Sequence, residues 1–268
     1  DAITEVLTRD GFKLFKDVVV GDQCLSLDPE TEDLSWQPVV TTFARMTDEI
    51  VTVKSSVVDM AVTLDHPFIG QKRVDRGSYK EWLPKKYASI VDIPKSADFR
   101  MFASSKWIGS TPATITVNDY TVDTTTFCKF MAWWLSDGYT SEKSYDYIDC
   151  AIVQATHFDL MRQALSTMSP TTRTDRLGFT NQNLAKWLTK FGKCTDKYIP
   201  VEIKELSAEY ITVFLEAYLL GDGSTSKQND FEGYISKEVR RFFTTSKQLM
   251  ADLCELIIKS GGTPSVRV

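Results

Sequence analysis

The sequence predicts a chain of two domains, an all-β unit over residues 1–115 and an α+β unit over residues 116–268. Three observations predict this fold class. The first hundred residues consist of short β-branched and aromatic runs separated by turn signals, a helical period of apolar residues starts near residue 124, and a helix ending in Asp-Gly occurs twice thereafter. A length of 268 residues with 43% apolar residues suits one large domain or two smaller ones.

The first part of the chain reads as strands. Six runs carry the β-branched and aromatic residues typical of strands, at residues 5–8, 12–15, 24–27, 38–43, 50–54 and 60–64. Turn signals such as Asp10-Gly11 and Gly21-Asp22 lie between them. Because these runs follow one another without a helical period, an all-β unit is expected.

The second part alternates helices with strands. Apolar residues spaced three and four apart predict helices near residues 127–135, 158–165, 181–191, 211–219 and 247–259. Ser246 is expected to cap the last of them, and Gly261-Gly262 to end it. Strand-like residues at 147–153 and 240–245 lie between the helices, which predicts an α+β unit.

The net charge of −5 conceals a change of sign along the chain. Residues 1–68 carry −8, residues 69–110 carry +5 and residues 111–268 carry −2. In the basic stretch the cations alternate with aromatic rings, a mixture that suits a nucleic-acid backbone and its bases, although a solvated loop region has the same composition. The cations predicted to contact DNA are Lys72, Arg73, Arg76, Lys85, Lys86 and Lys106.

Composition excludes several classes of protein. No run approaches about 18 apolar residues, so no membrane is expected as a partner, and the first residues lack the features of a secretory signal. The five cysteines are odd in number and none are spaced C-x-x-C, which favours a reducing compartment over disulfides or structural zinc. We expect a monomer that is cytoplasmic or nucleoid-associated and not secreted.

An internal repeat is the most informative feature. Residues 130–138, Phe-Met-Ala-Trp-Trp-Leu-Ser-Asp-Gly, align with residues 215–223, Leu-Glu-Ala-Tyr-Leu-Leu-Gly-Asp-Gly, 85 residues further on. The shared small residues, Ala132 and Ala217, would let two such helices approach closely, and the glycines would permit a sharp turn at each helix end.

The two repeated acids point to a metal site. A carboxylate at a helix C-terminus is unfavourable for the helix dipole, and a bound divalent cation would offset that cost. Parallel packing of the two helices would bring Asp137 and Asp222 together, an arrangement that suits Mg²⁺ and in-line phosphodiester displacement. A single Asp-Gly is usually a turn after a core helix, but two matched copies on matched helices favour a site.

The two segments resemble the paired LAGLIDADG motifs of monomeric homing endonucleases. The resemblance covers about residues 120–268, with repeat 1 at about 120–200 and repeat 2 at about 205–268. It implies that Asp137 and Asp222 bind metal and are catalytic, and that the two alanines lie at the helix interface. The chain departs from the consensus at the first acidic position, where Leu135 and Leu220 stand.

Two further blocks extend the resemblance. Lys197-Tyr-Ile-Pro200 is similar to the Lys-x-Ile-Pro block of intein endonucleases, which implies that Lys197 is an active-site lysine. Such a lysine would polarise the attacking water or stabilise developing charge, whereas the alternative is a surface lysine before a strand. Residues 242–262 resemble another block of the same family.

The N-terminal part resembles the splicing region of an intein. Thr63-Leu-Asp-His66 is a T-x-x-H pattern whose hydroxyl and imidazole would act on one peptide bond, and residues 18–22, Val-Val-Val-Gly-Asp, are similar to a turn of the Hint fold. Ala2 stands where an intein has its nucleophilic Cys or Ser, and alanine cannot attack a carbonyl. The His-Asn ending of an intein is also missing. Splicing by this chain is therefore not expected, and a separate C-terminal intein fragment is a candidate partner.

The resemblance implies an intein-encoded homing endonuclease that makes double-strand breaks in double-stranded DNA by Mg²⁺-dependent phosphodiester hydrolysis. Two alternatives stay open, a protein-splicing element with an inert endonuclease half and a non-catalytic nucleic-acid-binding protein of the same fold. The intact pair of acids favours cleavage, and the alanine at the nucleophile position disfavours splicing.

Overall fold

Two compact units divide the chain in the computed structural model. One contains residues 1–108 and 257–268, and the other contains residues 109–256. The structure describes residues 3–54, 58–83, 86–93, 99–102, 104–144, 147–153, 156–229 and 236–267. The division precedes the boundary placed at residue 115 from sequence, and it assigns the last residues of the chain to the first unit instead of the second.

Strands make up most of the regular structure of the first unit, together with short 3₁₀ helices at Phe15–Asp17 and Ile90–Asp92. The strands are β1 (Glu5–Thr8), β2 (Gly11–Leu14), β3 (Gln23–Leu27), β4 (Asp33–Pro38), β5 (Val51–Lys54), β6 (Asp59–Val62), β7 (Pro67–Asp75), β8 (Lys80–Trp82), β9 (Lys86–Ser89), β10 (Phe99–Met101) and β11 (Lys106–Trp107). One sheet has the order β11-β4-β3-β1-β2, and β7 pairs with β8, β9 and β10 in a second sheet. Strands β5 and β6 form a hairpin. Within the described residues up to 108, no α-helix interrupts the strands.

One predicted strand is misplaced. The sequence predicts a strand at residues 38–43, but the strand ends at Pro38, and Leu34 and Trp36 pair with Leu27 and Leu25 of β3. Residues 39–50 contain no strand, and the side chains of Val40 and Phe43 are 80% and 77% exposed. The β-branched composition of this run is not matched by a cross-strand partner, which is what stabilises a strand.

A buried lysine explains why the chain end belongs to the first unit. The ammonium of Lys259 lies 4.6 Å from the ring centre of Trp36 and 4.2 Å from that of Trp107, and its side chain is fully buried. The hydroxyl of Ser104 donates a hydrogen bond of 2.6 Å to the carbonyl of Ile258. Cation–π contacts in a dry site are among the stronger contacts of this type, so these residues tie the chain end to the strands.

The second unit combines helices with three short sheets. Its elements are β12 (Thr114–Val117), β13 (Tyr120–Asp123), α1 (Thr124–Asp137), β14 (Gly138–Ser144), β15 (Tyr147–Val153), α2 (Phe158–Ala164), β16 (Thr171–Thr172), β17 (Arg176–Phe179), α3 (Gln182–Leu188), α4 (Val201–Lys204), α5 (Ala208–Asp222), β18 (Gly223–Asn229), β19 (Ser236–Phe242) and α6 (Lys247–Lys259). The boundary predicted after residue 115 falls inside β12. Among the described residues, no helix has the length and apolar character needed to span a membrane.

The order helix, hairpin, helix occurs twice in this unit. The first copy is α1-β14-β15-α2 and the second is α5-β18-β19-α6. In the first copy β17 and β16 extend the hairpin into a sheet of order β14-β15-β17-β16, whereas β18 and β19 form a two-stranded sheet. The sequence repeat therefore corresponds to a repeat in the order of elements.

Helix α1 is the centre of the core. The side chain of Asp123 caps it by accepting the N–H of Thr126 at 2.9 Å, and Phe127, Phe130 and Trp134 are completely buried. Since buried residues occur on every face of its second half, α1 has the pattern of a core helix and not of a surface helix. This burial holds its C-terminal end in a fixed position.

Candidate active site

Helices α1 and α5 pack against each other and end at the two repeated carboxylates. Asp137 is the last residue of α1, and Asp222 is the last residue of α5. Small residues line the interface, because a Cβ atom added to Gly221 would lie only 2.3 Å from the hydroxyl oxygen of Ser136. Ala132 and Ala217, predicted at this interface, are 0% and 4% exposed.

Each acid is followed by a glycine at a position where a side chain would not fit. The backbone there is not left-handed. Gly138 and Gly223 both have extended backbone, with φ of −90° and −140°. A Cβ at Gly138 would lie 2.4 Å from a ring carbon of Trp134, and one at Gly223 would lie 2.6 Å from the Cα of Leu219. The glycines let each chain leave its helix directly into a strand while it folds back against the last turn.

The two carboxylates share a half-buried environment. Burial raises the pKa of Asp137, the charge on Asp222 raises it further, and the ammonium of Lys197 lowers it. Burial also raises the pKa of Asp222, and Lys197 again acts in the opposite direction. Two half-buried carboxylates that repel each other disfavour their own charged state, and a cation bound near both would relieve that cost.

Lys197 lies at the C-terminal end of α1. Its side chain is 5% exposed, and its ammonium donates hydrogen bonds to the carbonyls of Trp134 at 3.0 Å, Leu135 at 3.0 Å and Gly138 at 2.9 Å. The same ammonium lies 5.0 Å from the ring centre of Trp134. Burial lowers the pKa of Lys197, whereas the carboxylates of Asp137 and Asp222 act to raise it.

These contacts differ from the surface lysine considered as an alternative from sequence. A cation at the C-terminal end of a helix interacts favourably with the helix dipole and with carbonyls that lack helical partners. The sequence alone predicts that a bound metal ion offsets the unfavourable carboxylate at the helix end. At the end of α1, the Lys197 ammonium supplies part of that compensation.

Strand alternation separates an outer from an inner face on both sheets. In the four-stranded sheet Ile152 and Leu177 are fully buried, whereas Tyr139 and Arg176 lie on the opposite face and share a hydrogen bond of 3.0 Å from the guanidinium to the phenol oxygen. Asp175 holds the same guanidinium through two hydrogen bonds of 2.9 and 2.8 Å.

The hairpin of β18 and β19 shows the same alternation. The Phe242 ring packs near Tyr218 of α5, so the face that includes Arg241 points away from the helix. Arg241 donates to the hydroxyl of Ser226 across the strands at 2.7 Å and is exposed. These outer-face residues are not predicted from the sequence, because a polar hairpin has no apolar alternation that would reveal its register.

The basic residues singled out from sequence lie in the first unit. Lys72 and Lys106 are exposed, the Arg73 guanidinium lies 5.4 Å from the ring centre of Trp82, and Arg76 forms an ion pair of 3.0 Å with Glu81. Lys85 lies outside the described residues, and for Lys86 the structure gives the backbone of β9 only.

The T-x-x-H residues occupy one turn after β6. The N–H of His66 donates to the carbonyl of Thr63 at 3.0 Å, and the Thr63 hydroxyl donates to Asp65 at 2.7 Å. Arg45 pairs with Asp65 and holds the pKa of that carboxyl well below its usual range. His66 is exposed and lies edge-on to Phe68 with 5.1 Å between ring centres. Ala2 lies outside the described residues.

The turn at residues 18–22 is held by its aspartate. Asp22 accepts the N–H of Val19 at 2.9 Å and the ammonium of Lys13 at 2.7 Å, and these contacts lower the pKa of Asp22, the lysine having the largest effect. Gly21 has a φ of +98°, a conformation that favours glycine, and its N–H donates to the carbonyl of Val39. The Gly-Asp pair in this motif therefore has a local structural reason.

The two acids fit Mg²⁺ better than a metal with an all-protein ligand shell. In the part of the chain that the structure describes, no group of three or more His, Cys, Asp or Glu side chains could hold a metal ion. Magnesium is commonly held by one or two carboxylates together with water and substrate phosphates. Asp137 and Asp222 provide such a pair.

Two features beside the acids were not found from sequence. The first is a set of buried charged residues of α6 that contact the chain around Lys197. In the sequence, Asp252 and Glu255 lie on the same helical stripe as the buried leucines, which could have indicated their burial. A cavity of about 400 Å³ lies along the last turn of α5 and the start of β18, and His157 lines it. No sequence signal marks His157.

Models of known protein families and curated proteins were compared with the chain, and neither comparison finds a match. The function is therefore inferred from the geometry of the site and from the motifs.

Proposed function

We propose that the second unit is a Mg²⁺-dependent endonuclease that cuts both strands of double-stranded DNA, in line with the resemblance to paired LAGLIDADG motifs. The observation that carries this proposal is the pair of half-buried carboxylates at the ends of two contacting helices, with a buried lysine beside them. A phosphodiester has no need of a covalent enzyme intermediate, so positioned charge is sufficient for its hydrolysis.

The two acids would bind the metal and orient it. Asp137 ends a helix that is largely buried, and Asp222 ends one that buries five of its fifteen residues, so neither carboxylate has much freedom to move. Bound Mg²⁺ would supply Lewis-acid polarisation of the scissile phosphodiester and would lower the pKa of a water molecule. Excess negative charge from two half-buried carboxylates would favour binding of the cation.

Lys197 would act by its charge. All three N–H groups of an ammonium are accounted for by the three carbonyls at the end of α1, so this lysine has no further donor to offer a substrate while those bonds persist. Its positive charge would still stabilise the negative charge that develops on the phosphate during the reaction. Holding the end of α1 would also keep Asp137 in place.

The outer faces of the two sheets would bind the DNA. Both strands that follow the acids, β14 and β18, start at the site. The outer faces of their sheets carry Tyr139 of β14, Arg176 of β17 and Arg241 of β19. Arginine and tyrosine are suited to phosphate and base-edge contacts. The cations of the first unit, including Lys72 and Lys106, would add contacts with the phosphate backbone.

We assign the first unit to the remains of a splicing domain. The turn shared by Thr63 and His66 favours this second role, because a backbone hydrogen bond joins the two residues of the motif. With Ala2 at the nucleophile position, we expect no splicing by this chain.

The test is a cleavage assay on the host gene joined across the insertion point, with and without Mg²⁺. The variants Asp137→Asn and Asp222→Asn are expected to bind this DNA but not cut it, because only metal ligation is removed. Asp119→Asn removes an exposed carboxylate of the same unit from a turn with a φ of +62°, where asparagine is well tolerated, and is expected to cut normally.

Three outcomes separate the candidate functions. A Mg²⁺-dependent double-strand cut that needs both acids supports the endonuclease. Specific DNA binding without a cut by the unaltered chain would favour a non-catalytic binding protein. Cleavage at an unchanged rate by either Asn variant would refute the assignment of that acid.

A further inference from the structure

The chain segment that carries Lys197 is held at both ends by α6. The hydroxyl of Ser246 donates to the carbonyl of Lys197 at 2.6 Å, and a carboxylate oxygen of Asp252 accepts the N–H of Ile199 at 2.8 Å. Both hydrogen bonds are buried. Residues 197–199 are therefore fixed to one helix by two backbone contacts that enclose the intervening residue.

Ser246 has two connections. Besides its bond to the Lys197 carbonyl, its hydroxyl oxygen accepts the N–H of Leu249 at 3.1 Å and so caps α6. The start of α6 and the segment that carries Lys197 thus share one hydroxyl, and Ser246 is only 1% exposed. Replacement by threonine would keep the hydroxyl, and replacement by alanine would remove both bonds.

Asp252 is the centre of a buried charged cluster. Its second carboxylate oxygen accepts from Lys204 at 3.1 Å and from Gln248 at 3.0 Å, and Lys204 also pairs with Glu255 at 2.8 Å. The residues Asp252 and Glu255 are 2% and 1% exposed. Burial disfavours the charge of Lys204, but the carboxylates of Glu255 and Asp252 outweigh it and raise the pKa of Lys204.

The other end of Lys197 lies at the proposed site. Its ammonium donates to three carbonyls at the end of α1, next to Asp137. Lys197 therefore connects two helices, because α6 holds its backbone and its side chain contacts the end of α1. Hydrogen bonds weaken steeply with small changes in length and angle, so a shift of about 1 Å in residues 197–199 would break this arrangement. A displacement of that size at an active site costs about 10²-fold in rate.

We propose that Ser246 and Asp252 are positioning residues for Lys197. In this proposal α6, which follows the second repeated hairpin, supports the lysine beside the acid of the first repeat. The proposal depends on the nuclease function for its effect on rate, but the position of Lys197 can be measured without DNA. The proposal is based on two hydrogen bonds, from the Ser246 hydroxyl to the Lys197 carbonyl and from the Ile199 N–H to Asp252. The hydrogen bond from Lys204 holds the Asp252 carboxylate in place.

The first measurement is the acylation of Lys197 by acetic anhydride in the metal-free protein, followed by mass spectrometry. In the unaltered chain the buried, three-fold bonded ammonium is expected to react slowly. Ser246→Ala and Asp252→Ala are expected to raise its rate at least about tenfold, which corresponds to about 1.4 kcal/mol. Ser246→Thr and Asp252→Asn keep an acceptor or donor at the same place and are expected to restore protection.

The second measurement is single-turnover cleavage together with the Kd for DNA. The two alanine variants are expected to cut at least about tenfold more slowly, with Kd changed by less than about threefold, because the lysine acts on the reaction and not on docking. The conservative variants are expected to cut within about threefold of the unaltered chain. A change confined to Kd would overturn the proposal.

Two controls separate positioning from loss of stability. Glu255→Gln neutralises one partner of Lys204 but leaves Asp252 its hydrogen bonds from Lys204 and Gln248. Asn181→Ala removes a cap that accepts the N–H of Leu184 at 2.9 Å in α3. Both are expected to lower stability while the acylation of Lys197 stays slow. If either control exposes Lys197 as strongly as Ser246→Ala does, the proposed role is wrong.

The design also distinguishes this proposal from the proposed function. If the unaltered chain cuts no DNA but Ser246→Ala still exposes Lys197, positioning holds and the nuclease assignment fails. If the unaltered chain cuts and none of the α6 variants alters either acylation or rate, the positioning role fails alone. If Asp252→Ala does not fold, Ser246→Ala and its threonine counterpart decide the question.

Discussion

Replacement of Lys197 by methionine is expected to destabilise the end of α1. Methionine keeps the length and the apolar stem of the side chain but removes the ammonium that donates to the carbonyls of Trp134, Leu135 and Gly138. The Trp134 carbonyl retains a second donor, because the backbone N–H of Gly138 also bonds to it. The loss therefore falls mainly on Leu135 and Gly138.

The expected magnitude follows from these bonds. A hydrogen bond to a charged group contributes about 1.5–3 kcal/mol, and two such bonds would together give about 3–6 kcal/mol. Removal of a buried ammonium also removes its desolvation cost, which offsets part of this sum. We expect a net loss of about 2–4 kcal/mol, a large share of the roughly 5–15 kcal/mol that stabilises a typical domain.

Hydrogen exchange of peptides that span α1, measured without metal, would detect this loss. The exchange free energy of the α1 amides is expected to fall by that amount in Lys197→Met. The matched control is Lys186→Met, which removes an exposed lysine of α3 and is expected to change stability by less than about 0.5 kcal/mol. A loss below about 1 kcal/mol in Lys197→Met, or an equal loss in both variants, would show that the ammonium does not hold α1.

Three further predictions test the charges. Because folding raises the pKa of Asp137 above 3.8, the folded state binds the proton more tightly, and metal-free stability is expected to fall as pH rises from about 4 through the raised pKa. Thermal unfolding in chelator would show this slope reduced in Asp137→Asn but not in Asp119→Asn, and an unchanged slope would contradict the reasoning. Arg241→Ala is expected to weaken DNA binding and to lower the salt slope by about one, more than Arg240→Ala on the other face, as equilibrium binding at several salt concentrations would show. His66→Ala is expected to leave the cleavage rate unchanged, and a large loss would mean that the first unit takes part in the nuclease site.

Among the described residues, local patterns in the sequence predict every α-helix except the four-residue α4, because each of the others has an apolar stripe and several have a cap. The stripe of Phe127, Phe130 and Trp134 is buried as expected, and Ser246 caps α6 where the sequence places it. These features depend on neighbours within one or two turns, so they are legible without tertiary structure. The misplaced strand after Pro38 shows the limit, because pairing and not composition decides where a strand ends.

Long-range contacts explain what the sequence analysis missed. The motif resemblance marked Lys197, but its carbonyl partners on α1 are about sixty residues away in the chain. The contacts of Asp252 with Ile199 and Lys204 likewise join distant segments. A charged residue on an apolar stripe is a sign of such a contact, since burial of an unpaired charge is prohibitively costly, but it does not identify the partner.

The surroundings of the two acids explain how an unfavourable arrangement is tolerated. Each carboxylate lies at the negative end of its own helix and is half-buried, and both features raise the free energy of the charged form. Packing of α1 and α5 through Gly221 and Ser136 leaves the helices little room to move the charges apart. Lys197 offsets part of the cost at the end of α1, and its own position depends on α6. A divalent cation would relieve the remaining cost, so the repulsion between the carboxylates in the metal-free protein would strengthen metal binding. The same repulsion lowers the free energy of unfolding of the metal-free protein, so the charges of this site can be followed by measuring stability.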